Sequence, residues 1–70
     1  MQNNIIVYGL ISGCPLCENL KRQLKAKNIS YTYNTNKNEM HELGITKVPA
    51  MQINNEILNY PKALRWVQEQ

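Results

Sequence analysis

The apolar residues of this chain fall in short runs whose spacing switches between continuous, helical and alternating. Ile5, Ile6, Val7 and Tyr8 form an unbroken β-rich run stopped by Gly9. A strand without polar alternation is buried on both faces, so this run predicts a central strand. From Pro15 to Lys27 the period lengthens: Leu16, Leu20 and Leu24 recur every fourth residue, with Cys17 on the flank of the stripe. That spacing predicts an amphipathic helix. Cys14 stands at its cap and Pro15 at its first position, where a missing N–H leaves nothing unsatisfied; Asn28 can close the other end in a left-handed conformation. Ile29 to Asn34 alternates apolar and polar residues, the pattern of a half-exposed second strand. Strand, helix and strand over about 30 residues make a βαβ unit, expected to cross over right-handed.

The second half carries shorter signals. Asn36 to Leu43 predicts a short helix stopped by Gly44, and Val48 to Ile53 a third strand that opens on Val48-Pro49. Asn54-Asn55 marks a tight turn because asparagine tolerates positive φ, and Glu56 to Leu58 is then the returning edge strand. Pro61 to Glu69 predicts the last helix, preceded by Tyr60, with Leu64 and Val67 as its apolar stripe and Trp66 covering one side. The order β-α-β-α-β-β-α describes an α/β domain: a four-stranded mixed sheet flanked by three helices, parallel in its first half and closed by an antiparallel hairpin. The 70 residues make a single domain, 1–70, with no linker, repeat or low-complexity stretch. A chain this short buries only about 60% of its unfolded surface, so nearly every stretch must belong to an element.

Composition narrows the functions. With 43% hydrophobic and 19% charged residues the chain suits a soluble globular domain. Its net charge of +3 comes from cations spread along the sequence; only Lys21 to Lys27 form a local group, which a helix fans over its solvent side. No nucleic-acid motif accompanies them, and no run approaches the ~20 apolar residues of a membrane span, so neither nucleic acid nor membrane is an expected partner. The run Ile5 to Ile11 lacks a basic segment before it, and cleavage near Cys17 would leave too little chain for a core. A cytoplasmic monomer is the expectation. Two cysteines three apart in a reducing compartment then indicate redox chemistry or metal binding rather than a structural staple.

A Cys-x-x-Cys pair opening a helix that follows a strand carries a specific chemistry. The thiolate, not the thiol, is the nucleophile. Unpaired N–H groups and the dipole at a helix start favour negative charge there, so Cys14 is expected to ionise within the ~3.5–7.5 range of such cysteines. Cys17, one turn inward on the same side, is placed to attack a mixed disulfide on Cys14. Cys14 is thus the attacking residue and Cys17 the resolving one. Zinc is the rival reading, but it needs about four ligands, and His41 is a third candidate without a fourth. No metal site is expected from one chain; a dimer holding zinc or an iron–sulfur cluster through Cys14 and Cys17 is the alternative, and a degenerate partner-binding domain a third.

Ser12-Gly13-Cys14-Pro15-Leu16-Cys17 resembles the active-site stretch of glutaredoxins, where Cys-Pro-Tyr-Cys is usual. Lys47-Val48-Pro49 is similar to the family's Thr-Val-Pro, and Ala63-Leu64-Arg65-Trp66-Val67 to its last helix. The likeness spans essentially the whole chain. It implies a thioredoxin-type fold, a thiol–disulfide oxidoreductase without a bound cofactor, and a cis Pro49 that exposes the Val48 backbone to an extended substrate. Pro15, Leu16, Lys47, Val48, Pro49 and Lys62 are the substrate-binding candidates. Protein disulfides, such as that of ribonucleotide reductase, and glutathione mixed disulfides are the implied substrates, with glutathione (as co-substrate) or thioredoxin reductase as the electron source. Several positions depart from the family. Ile11 stands where a Lys or Arg is common, Leu16 replaces the tyrosine, and Leu58-Asn59-Tyr60-Pro61-Lys62 replaces a Gly-Gly that holds glutathione through backbone donors. Pro61 has no N–H to give, so glutathione recognition is expected to be weakened or rebuilt around Lys62 and Lys47. The buried carboxylate that often serves the second cysteine in thioredoxins has no counterpart, since the chain contains no Asp; water or the leaving thiolate is left to deprotonate Cys17.

Overall fold

The computed structural model describes residues 4–11 and 13–70. Seven elements follow in order: β1 (Ile5–Tyr8), α1 (Pro15–Ala26), β2 (Thr32–Asn34), α2 (Lys37–Glu42), β3 (Ala50–Ile53), β4 (Glu56–Leu58) and α3 (Tyr60–Gln68). The strands form one mixed sheet in the order β2-β1-β3-β4, with β1 parallel to β2 and antiparallel to β3, and β3 antiparallel to β4. The continuous apolar run thus occupies a central strand, as its composition requires.

Alternation along β1 divides the core between the two faces. Ile5 and Val7 join Leu20 and Leu24 of α1, Met51 of β3, and Ala63 and Val67 of α3 in the larger cluster. Tyr8 faces the other way and meets Ala50 and Met40 of α2 in a smaller one. α1 and α3 also pack on each other, and the Asn19 side-chain amide donates to the Tyr60 hydroxyl at 2.8 Å between them.

Several boundaries differ from the sequence reading. The second strand keeps only its last three residues because Thr32 is paired with Ile6, near the start of β1. Ile29 and Tyr31 lie before that pairing and turn onto the larger cluster instead. β3 begins at Ala50, not Val48: Tyr8, the last residue of β1, pairs with Ala50, and Pro49 has no N–H for the ladder. On α1 the buried stripe is Cys17, Leu20 and Leu24, while Leu16 is 49% exposed. Helical geometry sets Cys17, Leu24 and Leu20 within about 60° of one another, with Leu16 about 40° beyond Leu20, so Cys17 belongs to the buried stripe and Leu16 falls outside it. α3 starts one residue earlier than its proline suggests and takes in Tyr60, because Asn59 caps it. Its buried residues are Ala63 and Val67, and Leu64 is only half-buried. The small turns agree with expectation: Asn28, Asn54 and Gly44 all adopt positive φ.

This topology gathers three connections at one end of the sheet. β1 leaves at Tyr8 toward α1, β3 enters at Ala50, and β4 leaves at Leu58, which pairs with Met51. The starts of α1 and α3 therefore lie at the same end as the Val48-Pro49 segment. Among the described residues no helix is long and apolar enough to cross a membrane.

Candidate functional site

Cys14 is the N-cap of α1, in extended conformation (φ −124°, ψ 91°). Its carbonyl accepts the first helical hydrogen bond from the Glu18 N–H at 3.1 Å, and its sulfur accepts from the Cys17 N–H at 3.1 Å. Pro15 at the helix start contributes no competing donor. The sulfur therefore sits where a serine or aspartate oxygen sits in an ordinary cap, facing an amide that lacks a partner inside the helix. Gly13, with φ +74°, turns the chain into that position in a conformation that side-chain-bearing residues rarely adopt. Ser12, the first residue of the recognised stretch, lies outside the described residues.

The two cysteines are joined as a disulfide, with Cα atoms 5.2 Å apart. Their surroundings differ. Cys14 is half-buried, whereas Cys17 is 1% exposed. Close to Cys14 in the chain, Ile11 is 84% exposed, and Leu10 and Leu16 are exposed as well. Cys17 faces inward, toward Gly9 and Tyr33. A Cβ placed on Gly9 would lie 2.8 Å from the Cys17 sulfur and 2.5 Å from the Tyr33 hydroxyl, so only glycine fits between β1 and these two groups. The Tyr33 hydroxyl donates to the Leu10 carbonyl. Lys21 lies over the Tyr33 ring, 4.1 Å from its centre, and is held by Glu18 at 2.9 Å. Burial pushes the Tyr33 hydroxyl above its ordinary pKa, against the opposing pull of the Lys21 ammonium. The hydrogen bond to Glu18 in turn raises the pKa of Lys21.

The remaining candidates separate into two groups. Val48 is half-buried against the smaller core cluster and Pro49 is buried, with a cis peptide between them. Lys47 and Lys62 are exposed and face one open groove of about 370 Å³ between the α2–β3 connection, β4 and the start of α3. Asn59, Leu58, Ile57 and Ala50 complete much of its wall, and neither cysteine lines it. Asn59 caps α3 by accepting the Lys62 N–H at 3.1 Å. The two ammonium groups, rather than helix amides, are thus what this groove offers an anion. His41, weighed as a third ligand, is exposed in α2; among the described residues no three His, Cys, Asp or Glu side chains come together.

Sequence reasoning passed over Gly9, Tyr33 and Asn59. Gly9 directly after a buried strand was a signal for close approach, and Asn59 two residues before a proline was a capping signal. Nothing in the sequence tied Tyr33 to Cys17, because that proximity depends on the parallel register of Val7 with Tyr33. No protein-family model, characterised protein or solved structure matches this chain.

Proposed function

We propose that this chain is a glutaredoxin-like thiol–disulfide oxidoreductase with a thioredoxin-type fold, acting as a cytoplasmic monomer on protein disulfides or glutathione mixed disulfides. One observation carries the reading: the Cys14 sulfur caps α1 and accepts the Cys17 amide at 3.1 Å, with Cys17 bonded directly behind it. In the reduced protein the same amide and the helix dipole favour the Cys14 thiolate.

The Cys14 thiolate attacks one sulfur of a substrate disulfide. A Cys14–substrate bond forms, and the other substrate sulfur departs as a thiolate that takes a proton from water. Cys17 then loses its proton and attacks the Cys14 sulfur. The Cys14–Cys17 disulfide closes, and the second substrate sulfur leaves. Two electrons pass from the cysteine pair to the substrate, with direction set by the two reduction potentials. The exposed apolar residues Leu10, Ile11 and Leu16, close to Cys14 in the chain, suit a protein surface as substrate. The neighbouring groove supports only a reduced role for glutathione, since Pro61 lacks an N–H and Asn59 already occupies that of Lys62. Glutathione and thioredoxin reductase are the two candidate electron sources.

Alkylation of the reduced protein tests the assignment. Cys14 should react readily near about pH 6 while Cys17 resists; equal rates would overturn the roles. Turnover with glutathione and glutathione reductase, set beside turnover with thioredoxin reductase, distinguishes the electron sources. Rapid saturation by low glutathione would show that the groove has rebuilt its recognition.

A further inference from the structure

The resolving step needs a Cys17 thiolate in a place poorly suited to one. Cys17 is 1% exposed, and burial in apolar surroundings disfavours the charged sulfur. With no Asp in the chain, no aspartate is at hand to take the proton. The Tyr33 hydroxyl and the Cys17 sulfur border the same space beside Gly9: a Cβ there would lie 2.5 Å from the hydroxyl and 2.8 Å from the sulfur.

We propose that the Tyr33 hydroxyl donates a hydrogen bond to the Cys17 thiolate and steadies it while the mixed disulfide on Cys14 is resolved. This rests on the oxidoreductase reading above and adds a residue to it. In the disulfide form the hydroxyl donates to the Leu10 carbonyl. Leu10 is exposed, so water can replace that donor when the hydroxyl turns toward sulfur. A hydroxyl has one hydrogen to give, so the two acceptors compete and the redox state of the pair decides which receives it. Gly9 is what allows the arrangement, because any side chain there would occupy the space both groups share.

The surrounding charges suit a neutral donor. Lys21 lies above the ring from α1, Glu18 holds Lys21, and Tyr31 lies nearby. On α3, the Tyr60 hydroxyl accepts a hydrogen bond from the Asn19 amide. Burial keeps the Tyr33 hydroxyl protonated past its ordinary pKa of 10.0, so it remains a donor throughout the working pH range. Tyr33 does not act as a base: the Cys17 proton passes to water before the attack. As the Cys17–Cys14 bond forms and the Cys14–substrate bond breaks, the negative charge moves onto the leaving sulfur and the hydroxyl returns to Leu10.

The variant Tyr33→Phe keeps the ring and removes only the oxygen. With a mixed disulfide preloaded on Cys14, closure of the Cys14–Cys17 bond at neutral pH should slow roughly tenfold, and its pH profile should move up by about one unit. Alkylation of Cys14 should be unchanged. Unchanged closure across the profile would overturn the proposal while leaving the function intact; failure of Cys14 to attack disulfides would instead remove the function. A second measurement keeps the native tyrosine. In Cys14→Ser, the Tyr33 Cζ resonance should titrate together with the Cys17 thiol, and Tyr33→Phe in that background should raise the Cys17 pKa. A Tyr33 resonance blind to Cys17 ionisation would overturn the assignment even if the phenylalanine variant did not fold.

Discussion

α1 and α3 begin at the same end of the sheet with nearly the same local chemistry, yet only one start is capped by a group that can ionise. Each is capped by a side chain that accepts the amide three residues on: Cys14 from Cys17, and Asn59 from Lys62, both at 3.1 Å. Each carries a proline in its first two positions. Both caps satisfy an amide that the helix leaves without a partner. The difference is the capping atom. An asparagine amide is neutral and does not titrate at any accessible pH, so its cap contributes only stability. A cysteine sulfur can ionise, and the same amide then shifts its acidity. What a helix start can do chemically thus depends on the side chain placed there, not on the helix start itself.

The sharpest way to break this comparison is to make the two starts alike. Cys14→Ser retains a good capping oxygen, so the reduced variant should unfold within about 1 kcal/mol of the reduced parent in urea. Its disulfide-reducing activity should fall to background, since no nucleophile remains at the cap. Activity surviving in Cys14→Ser would move the attack to Cys17 and end the comparison. A large loss of stability would show that the sulfur does more for the fold than an oxygen can.

The converse change is smaller and of the opposite kind. Asn59→Ala removes the α3 cap, which costs about 1 kcal/mol in comparable helices. α3 supplies Ala63 and Val67 to the larger core cluster, so this loss should appear as a lower urea midpoint of the whole domain, without a change in slope. Cys14 alkylation should stay at the parent rate. A parallel fall in Cys14 reactivity would mean that the two starts are coupled through the α1–α3 contact rather than independent.

How much of this was legible in the sequence follows from the range of each interaction. The caps and turns at Cys14, Asn28 and Gly44 are local, and local residue chemistry determines them. The continuous run Ile5 to Tyr8 indicated a central strand because only a strand covered on both faces tolerates that composition. Errors arose where a neighbour decides the outcome. Ile29 to Tyr31 alternate like a strand, but the pairing of Thr32 with Ile6 leaves them before the ladder. Leu16 fits the four-residue spacing, but the sheet lies on the Cys17 side of that stripe. At the site, the position of Cys14 at the helix cap, facing the Cys17 amide, was readable from spacing alone. The placement of Tyr33 beside Cys17 was not, since strand register brings together residues far apart in the chain.

The groove beside α3 offers the finest comparison, because its two cations would act only on charged substrates. Lys47 and Lys62 line it together and are exposed. Exposed charges attract weakly and are screened by salt. Lys62→Ala and Lys47→Ala should each raise KM for glutathione disulfide roughly threefold at low salt, with a smaller effect at high salt. The maximal rate should hold, because neither ammonium lines the sulfur site. For the neutral 2-hydroxyethyl disulfide neither variant should differ from the parent, since there is no anion for the groove to meet. A loss on the neutral substrate as well would place the lysines in the reaction at Cys14 and make the α3 start part of the chemistry. Equal KM values on both substrates would mean that the groove takes no part in binding, and that substrate choice rests on the exposed apolar residues Leu10, Ile11 and Leu16.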